Sequence, residues 1–206
     1  MPSTLFVRGF LIGLSVAAAV GPMAVLCIRR TLTQGRLAGL ATGLGVATAD
    51  GCYGAVAGFG LAVVSRFLLA QQAGLRLVGG VFLCYLGLKT ALAAPATRPA
   101  SAAGAGGASL ARAYASALAL TLTNPLTILS FAAIFAGLGA GAGGGYGTTA
   151  LLVLGVFLGS ALWWVMLTSV VAALRARVTP RGLRWVNRAS GAIILCFGVV
   201  ALASLR

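Results

Sequence analysis

Long apolar stretches separated by short, arginine-bearing gaps dominate the chain. A helix needs about 20 apolar residues to cross the hydrocarbon core of a bilayer. Six runs reach that length or approach it: 5–28, 37–65, 75–94, 113–138, 147–174 and 189–205. The second, at 29 residues, is longer than a perpendicular crossing needs, so it must tilt or protrude. The first run could be read as a secretory signal cleaved near Ala17-Ala18-Ala19. Against that, only Arg8 lies near its start, and apolar residues continue to Ile28. The pattern predicts an all-α integral membrane protein with six transmembrane helices.

Two connections lack any helical period. Residues 95–109, rich in Pro, Ala, Gly and Ser, read as a flexible linker between the halves of the chain. Residues 137–147 read as an uncharged, glycine-rich loop. The expected organisation is one membrane domain over residues 1–206. Repeat one covers about 1–94, the linker about 95–112 and repeat two about 113–206.

Composition narrows the function. Of 206 residues, 60% are apolar and 8% charged, and the mean hydropathy is +1.06. A soluble domain carries roughly a quarter of its residues as charges. A soluble enzyme, a disordered chain and a nucleic-acid-binding domain are therefore excluded. The net charge of +14 comes from arginines in the gaps between apolar runs, where they meet anionic headgroups and set orientation. Asp50 is the one acid and there is no His. That leaves no carboxylate pair for acid–base catalysis, no His/Asp/Glu metal cluster and no Ser-His-Asp triad. No enzyme activity, cofactor or metal is expected. Cys27, Cys52, Cys84 and Cys196 form no C-x-x-C pair and read mainly as buried small hydrophobes.

The basic residues also predict sidedness. The 1–2, 3–4 and 5–6 connections hold eleven Lys and Arg, and the opposite side holds Arg8, Arg66, Arg76 and Arg206. By the positive-inside rule the 1–2, 3–4 and 5–6 loops are cytoplasmic.

The halves echo each other. Gly21-Pro22 in the first run matches Asn124-Pro125 in the fourth, with Arg8 and Arg112 at similar distances upstream. The Gly80 to Gly87 segment of the third run matches Gly191 to Gly198 of the sixth. Three spans per half is an odd number, so the repeats must be inverted. Inverted repeats are recurrent in secondary transporters, which bind substrate at broken helices between the repeats.

Candidate site residues follow. Pro22 and Pro125 each remove a helical hydrogen bond, and Gly21 and Asn124 beside them mark either static kinks or hinges with exposed backbone. Asp50 lies mid-span, where an ionised Asp costs about 2.5–3.5 kcal/mol. It serves either as a packing hydrogen-bonder or as a handler of protons, cations or substrate ammonium. Gly39, Gly43, Ala47, Gly51, Gly54 and Gly58 form a small-residue stripe that admits a close neighbouring helix, so Asp50 should face protein rather than lipid. Trp163, Trp164 and Tyr53 are either core packing or the wall of a cation-binding pocket.

At these residues the sequence resembles the LysE/RhtB family of amino-acid exporters. The similarity runs through residues 21–54, 78–92, 108–135 and 155–170. The Gly-Pro, the Asp after a Gly-rich run, Tyr85-Leu86-Gly87-Leu88-Lys89 and the Asn124-Pro125 pattern occur in that order. Ala47 stands where the family would have Gly. The resemblance implies six helices and ion-coupled export, with protons favoured, of amino acids or related small metabolites from bacteria, across the cytoplasmic (inner) membrane. The implied partners are a small-molecule substrate, an amino acid, and the lipid bilayer, with no nucleic acid; a homodimer stays open. Pro22, Asp50, Asn124 and Pro125 match the family pattern. The alternatives are an inorganic cation exporter of the wider superfamily, a thiol-based membrane electron-transfer protein and a structural subunit.

Overall fold

Apolar runs without water on either side must satisfy their backbone within themselves, which favours helices. The computed structural model describes residues 2–19, 21–59, 70–93, 107–124, 127–128, 130–131, 146–175 and 178–204. Among the described residues are seven long helices and no strand: α1 (Pro2–Ala18), α2 (Pro22–Gln34), α3 (Arg36–Gly58), α4 (Gln72–Ala91), α5 (Gly107–Leu122), α6 (Tyr146–Leu174) and α7 (Pro180–Ala203).

Several boundaries differ from the hydropathy pattern. The first run is two helices, α1 and α2, meeting at 75°. The second ends at Gly58, with Phe59 in a turn; residues 60–65 lie outside the described residues. The fourth begins at Gly107, inside the stretch read as linker, and stops at Leu122 before helical backbone returns at Thr127. The sixth begins at Pro180, so Arg181, Arg184 and Arg188 stand on a helix rather than in a loop. The cause is local: Thr179 accepts a 3.1 Å hydrogen bond from the Gly182 N–H, and Pro180 is fit for a first helical turn.

Among the described residues, three helices are long and apolar enough to cross a membrane, at Ala73–Ala91, Tyr146–Leu174 and Arg181–Ala203; the bent pair Ser3–Ala18 and Pro22–Gln34 adds a fourth. The helix α3 is not among them, because six glycines and Asp50 dilute its apolar residues. Its packing explains the composition: α3 lies against α2, α5 and α6.

Close approach governs the other interfaces. Along α1 and α6, Gly9 and Gly13 meet the carbonyls of Leu152 and Val156, while Gly155 and Gly159 meet those of Phe6 and Phe10. The registers rise together, so these helices are parallel. Along α4 and α7 they run oppositely, with Gly80 against Gly198 and Leu202, and Gly87 against Gly191 and Leu195. Outside these seams much of the described surface of α4 and α6 is apolar: Leu154, Leu158, Leu162, Val165 and Val170 on α6, with Leu77, Val78, Val81, Phe82 and Leu88 on α4, are exposed. A contiguous apolar surface of this extent fits hydrocarbon.

Candidate functional site

The site is built at the chain's interruptions. Between α1 and α2 the helix stops at Ala18, and Gly21 is extended at φ −144° and ψ −174° with no side-chain cap on α2. Pro22 has no N–H to continue the ladder. The Ala24 and Val25 N–H groups both donate to the Gly21 carbonyl, at 3.1 and 3.4 Å. A matching interruption follows α5. Thr123 is in a turn and Asn124 is non-helical, and the Asn124 carbonyl then accepts from the Ile128 N–H at 3.2 Å. Pro125 lies outside the described residues.

Asp50 is 1% exposed, on the face of α3 that meets α6. The predicted stripe lies along that contact: Gly43 faces Trp164, Gly51 faces Phe157, Gly54 faces Val156 and Gly58 faces Thr149. The hydroxyl of Ser160 donates to Asp50 Oδ2 at 2.7 Å, and Trp164 Nε1 donates to Ser160 Oγ at 3.2 Å. An indole N–H can only donate. Trp164 therefore occupies an acceptor site of the Ser160 hydroxyl and turns its hydrogen toward Asp50.

A cavity of about 80 Å³ joins these groups. Asp50 and Trp164 line it, with Gly21 and Pro22 from the first interruption and Asn124, Thr127 and Ser130 around the second. Five of the sequence-derived candidates thus meet in one place. Two others stand elsewhere. The Tyr53 hydroxyl donates to the Leu122 carbonyl at 2.7 Å, and its ring stacks on Phe131 with centroids 5.6 Å apart. Trp163 packs against the neighbouring apolar cluster, with a buried Nε1 that has no hydrogen-bond partner among the described residues.

Sequence reasoning missed Ser160 and Arg30. Ser160 follows the Gly155 and Gly159 pair and precedes Trp164 by one helical turn, which puts a hydroxyl on a close-packed face. Arg30 falls seven residues after Met23, on the buried face of α2. All four cysteines are free thiols, Cys27 buried and Cys52 and Cys196 exposed.

A helical bundle in an apolar coat, with a cavity that holds a buried acid at paired helix interruptions, has the build of a membrane transporter. The LysE type translocator family matches residues 14–205, and the chain belongs to it. It is therefore a multi-pass membrane protein of a transporter family. The chain is similar to YcgF of Bacillus subtilis (strain 168), which carries the name of an amino acid efflux protein. Identity is 29% over 198 residues, covering 94% of this chain and 93% of YcgF. It is also similar to the membrane protein YahN of Escherichia coli (strain K12), with 30% identity over 195 residues, 93% of this chain and 85% of YahN. No solved structure matches the chain.

Proposed function

We propose that this protein is a secondary active exporter of amino acids across the bacterial cytoplasmic membrane, driven by the proton gradient. The observation that carries the proposal is the position of Asp50. The sole acid of the sequence is buried beside a cavity that both helix interruptions also line. The efflux protein name of YcgF supports the same direction of transport.

In this reading one carboxylate serves two cations. Asp50 holds a proton or the substrate ammonium, never both, because each neutralises the same charge. Release of one is the condition for binding the other, which is obligatory exchange. Ser160 and Trp164 hold one carboxylate oxygen in place and leave the other for the exchanged cation. The start of α2 suits the substrate's carboxylate through the partial positive charge of a helix N-terminus, although its Ala24 and Val25 N–H groups already donate to the Gly21 carbonyl. A lone acid is scant provision for a second cationic group, so neutral amino acids fit better than lysine or arginine.

The cavity is small beside the roughly 300–1,000 Å³ of ligand sites. Substrate binding therefore requires the interruptions to open, with Gly21-Pro22 and Asn124-Pro125 acting as hinges. A six-span arrangement of two inverted three-helix repeats fits this motion. The helix pairing supports it: α1 of the first half rests on α6 of the second, and α5 of the second rests on α3 of the first. The test loads cells with dipeptides and compares efflux of each released amino acid with and without the protein. Faster efflux of neutral amino acids, abolished by an uncoupler, is expected. Equal efflux of every amino acid would overturn the proposal.

A further inference from the structure

Arg30 is a cation buried without an anion. It lies on α2 and is 9% exposed. Its Nη1 donates to Thr42 Oγ1 of α3 at 3.0 Å and to the Ala113 carbonyl of α5 at 2.9 Å, and its Nη2 donates to Ser116 Oγ of α5 at 2.9 Å. Every one of these acceptors is neutral. The chain has no other acidic side chain to offer, because Asp50 is the one acid in the sequence. Thr42 lies eight residues before Asp50 on α3, about 12 Å at the helical rise of 1.5 Å per residue. Asp50 is also engaged by Ser160. Buried charges are normally paired with opposite charge. A guanidinium held only by neutral oxygens is prepared for an anion, and its planar fork fits a carboxylate bidentately.

The position connects this cation to the cavity. Met23 lines the cavity and is buried on the same face of α2 as Arg30, two turns away. Beyond Arg30, the Arg29 Nε donates to Asn187 Oδ1 at 3.2 Å, and the Arg175 Nε donates to the Leu32 carbonyl at 2.9 Å. The positive-inside count assigns this end to the cytoplasm. An exported solute thus meets these arginines before it meets Asp50.

We propose that Arg30 is a carboxylate-binding station between the cytoplasm and the cavity, and that its ligand is the α-carboxylate of the exported amino acid. The inference rests on the export reading above. The arriving carboxylate replaces Ala113 and Ser116 as acceptor, and α2 is thereby untied from α5. The solute then moves on to Asp50, which takes its ammonium group, so the two ends of the substrate are recognised in succession.

Inside-out membrane vesicles present this face to the medium. Uptake of each proteinogenic L-amino acid, and of the amides of those transported, is measured for the wild type, Arg30→Gln, Arg30→Lys and Ser116→Ala. Arg30→Gln should raise KM on the order of tenfold or more, with a smaller change in kcat. Arg30→Lys should fall between, since it keeps the charge and loses the fork. Amides, which lack the anion, should be poor wild-type substrates. Ser116→Ala removes a neutral competitor and should leave KM equal or lower. An unshifted KM in Arg30→Gln, or amides handled as well as the acids, overturns the inference. If Arg30→Gln does not fold, Ser116→Ala and the amide comparison decide: a raised KM in Ser116→Ala marks a packing role and overturns it. Wild-type vesicles that take up no amino acid overturn the export reading and this inference together. Wild-type uptake with an unshifted KM in Arg30→Gln overturns this inference alone.

Discussion

Ser160 and Asp50 join α6 to α3 through a 2.7 Å hydrogen bond between residues 110 positions apart in the chain. Trp164, one turn further along α6, fixes the direction of that bond. The pair turns an interface of glycines and small side chains into a site with a defined polarity.

The first prediction tests that arrangement. Losing a hydrogen bond to a buried charged group costs about 1–3 kcal/mol. Ser160→Ala should therefore slow efflux roughly tenfold, at about 1.4 kcal/mol per factor of ten. Trp164→Phe keeps a ring and removes the N–H, so its effect should be smaller. In a double-mutant cycle on efflux rates, Ser160→Ala and Asp50→Glu should fail to add. Simple additivity would mean that the bond seen here does not serve transport.

Asp50→Asn preserves size and removes the charge. The variant should insert and fold as the wild type does, with coupled efflux lost. Asp50→Glu should retain part of the activity, because the carboxylate survives on a longer stem. Counterflow exchange distinguishes the two roles of Asp50: it persists in Asp50→Asn if the carboxylate carries only the proton and disappears if it binds ammonium. Wild-type efflux by Asp50→Asn would leave Asp50 a packing residue.

Pro22→Ala restores an N–H at the α1–α2 interruption. The helices should straighten and efflux should slow, with the protein still inserted. Solvent accessibility of a reporter cysteine at Ala19, in a background lacking native cysteines, should fall in parallel. An unchanged rate would make the interruption a fixed bend.

The α1–α6 seam predicts a stability effect. A Cβ at Gly13 would collide with the Val156 carbonyl, which is backbone and cannot rotate away. Overpacking of this kind costs about 1–3 kcal/mol. Gly13→Ala should lower the thermal midpoint in detergent, whereas Gly147→Ala, with nothing within 4 Å of its Cβ position, should not.

Sidedness is checked with fused reporters. A reporter after Arg181 should read cytoplasmic and one at Gly144 should read external. Reversal at both points would invert the orientation that puts the arginines ahead of Asp50 on the path out of the cell.

Much of this was legible in the sequence, for physical reasons. Asp50 stood out because hydrocarbon tolerates few acids, and the small-residue stripe around it announced a close helix. Gly21-Pro22 and Asn124-Pro125 marked interruptions because proline cannot continue a backbone ladder. The start of α7 was obscured because Arg181, Arg184 and Arg188 depress local hydropathy, although Thr179-Pro180 is a helix-start signal. Ser160 was hidden because one hydroxyl in an apolar run has no period. Its meaning depends on which residue of α3 lies opposite, and that is a tertiary fact. Tyr53 and Trp163 were drawn toward the site by residue type alone, and their actual neighbours are a carbonyl and an apolar cluster.

The composition of α3 bears on how the chain is made. A helix carrying six glycines and an aspartate is a poor resident of lipid on its own. Its covering partners, α5 and α6, are synthesised after it, and Ser160 emerges 110 residues behind Asp50. The ribosome thus delivers the buried acid before the parts that shelter it. A chain halted before α6 leaves its carboxylate without a hydrogen-bond donor and its glycine face without a lid. Closure of the α3 face thus waits on a late contact between residues 110 positions apart.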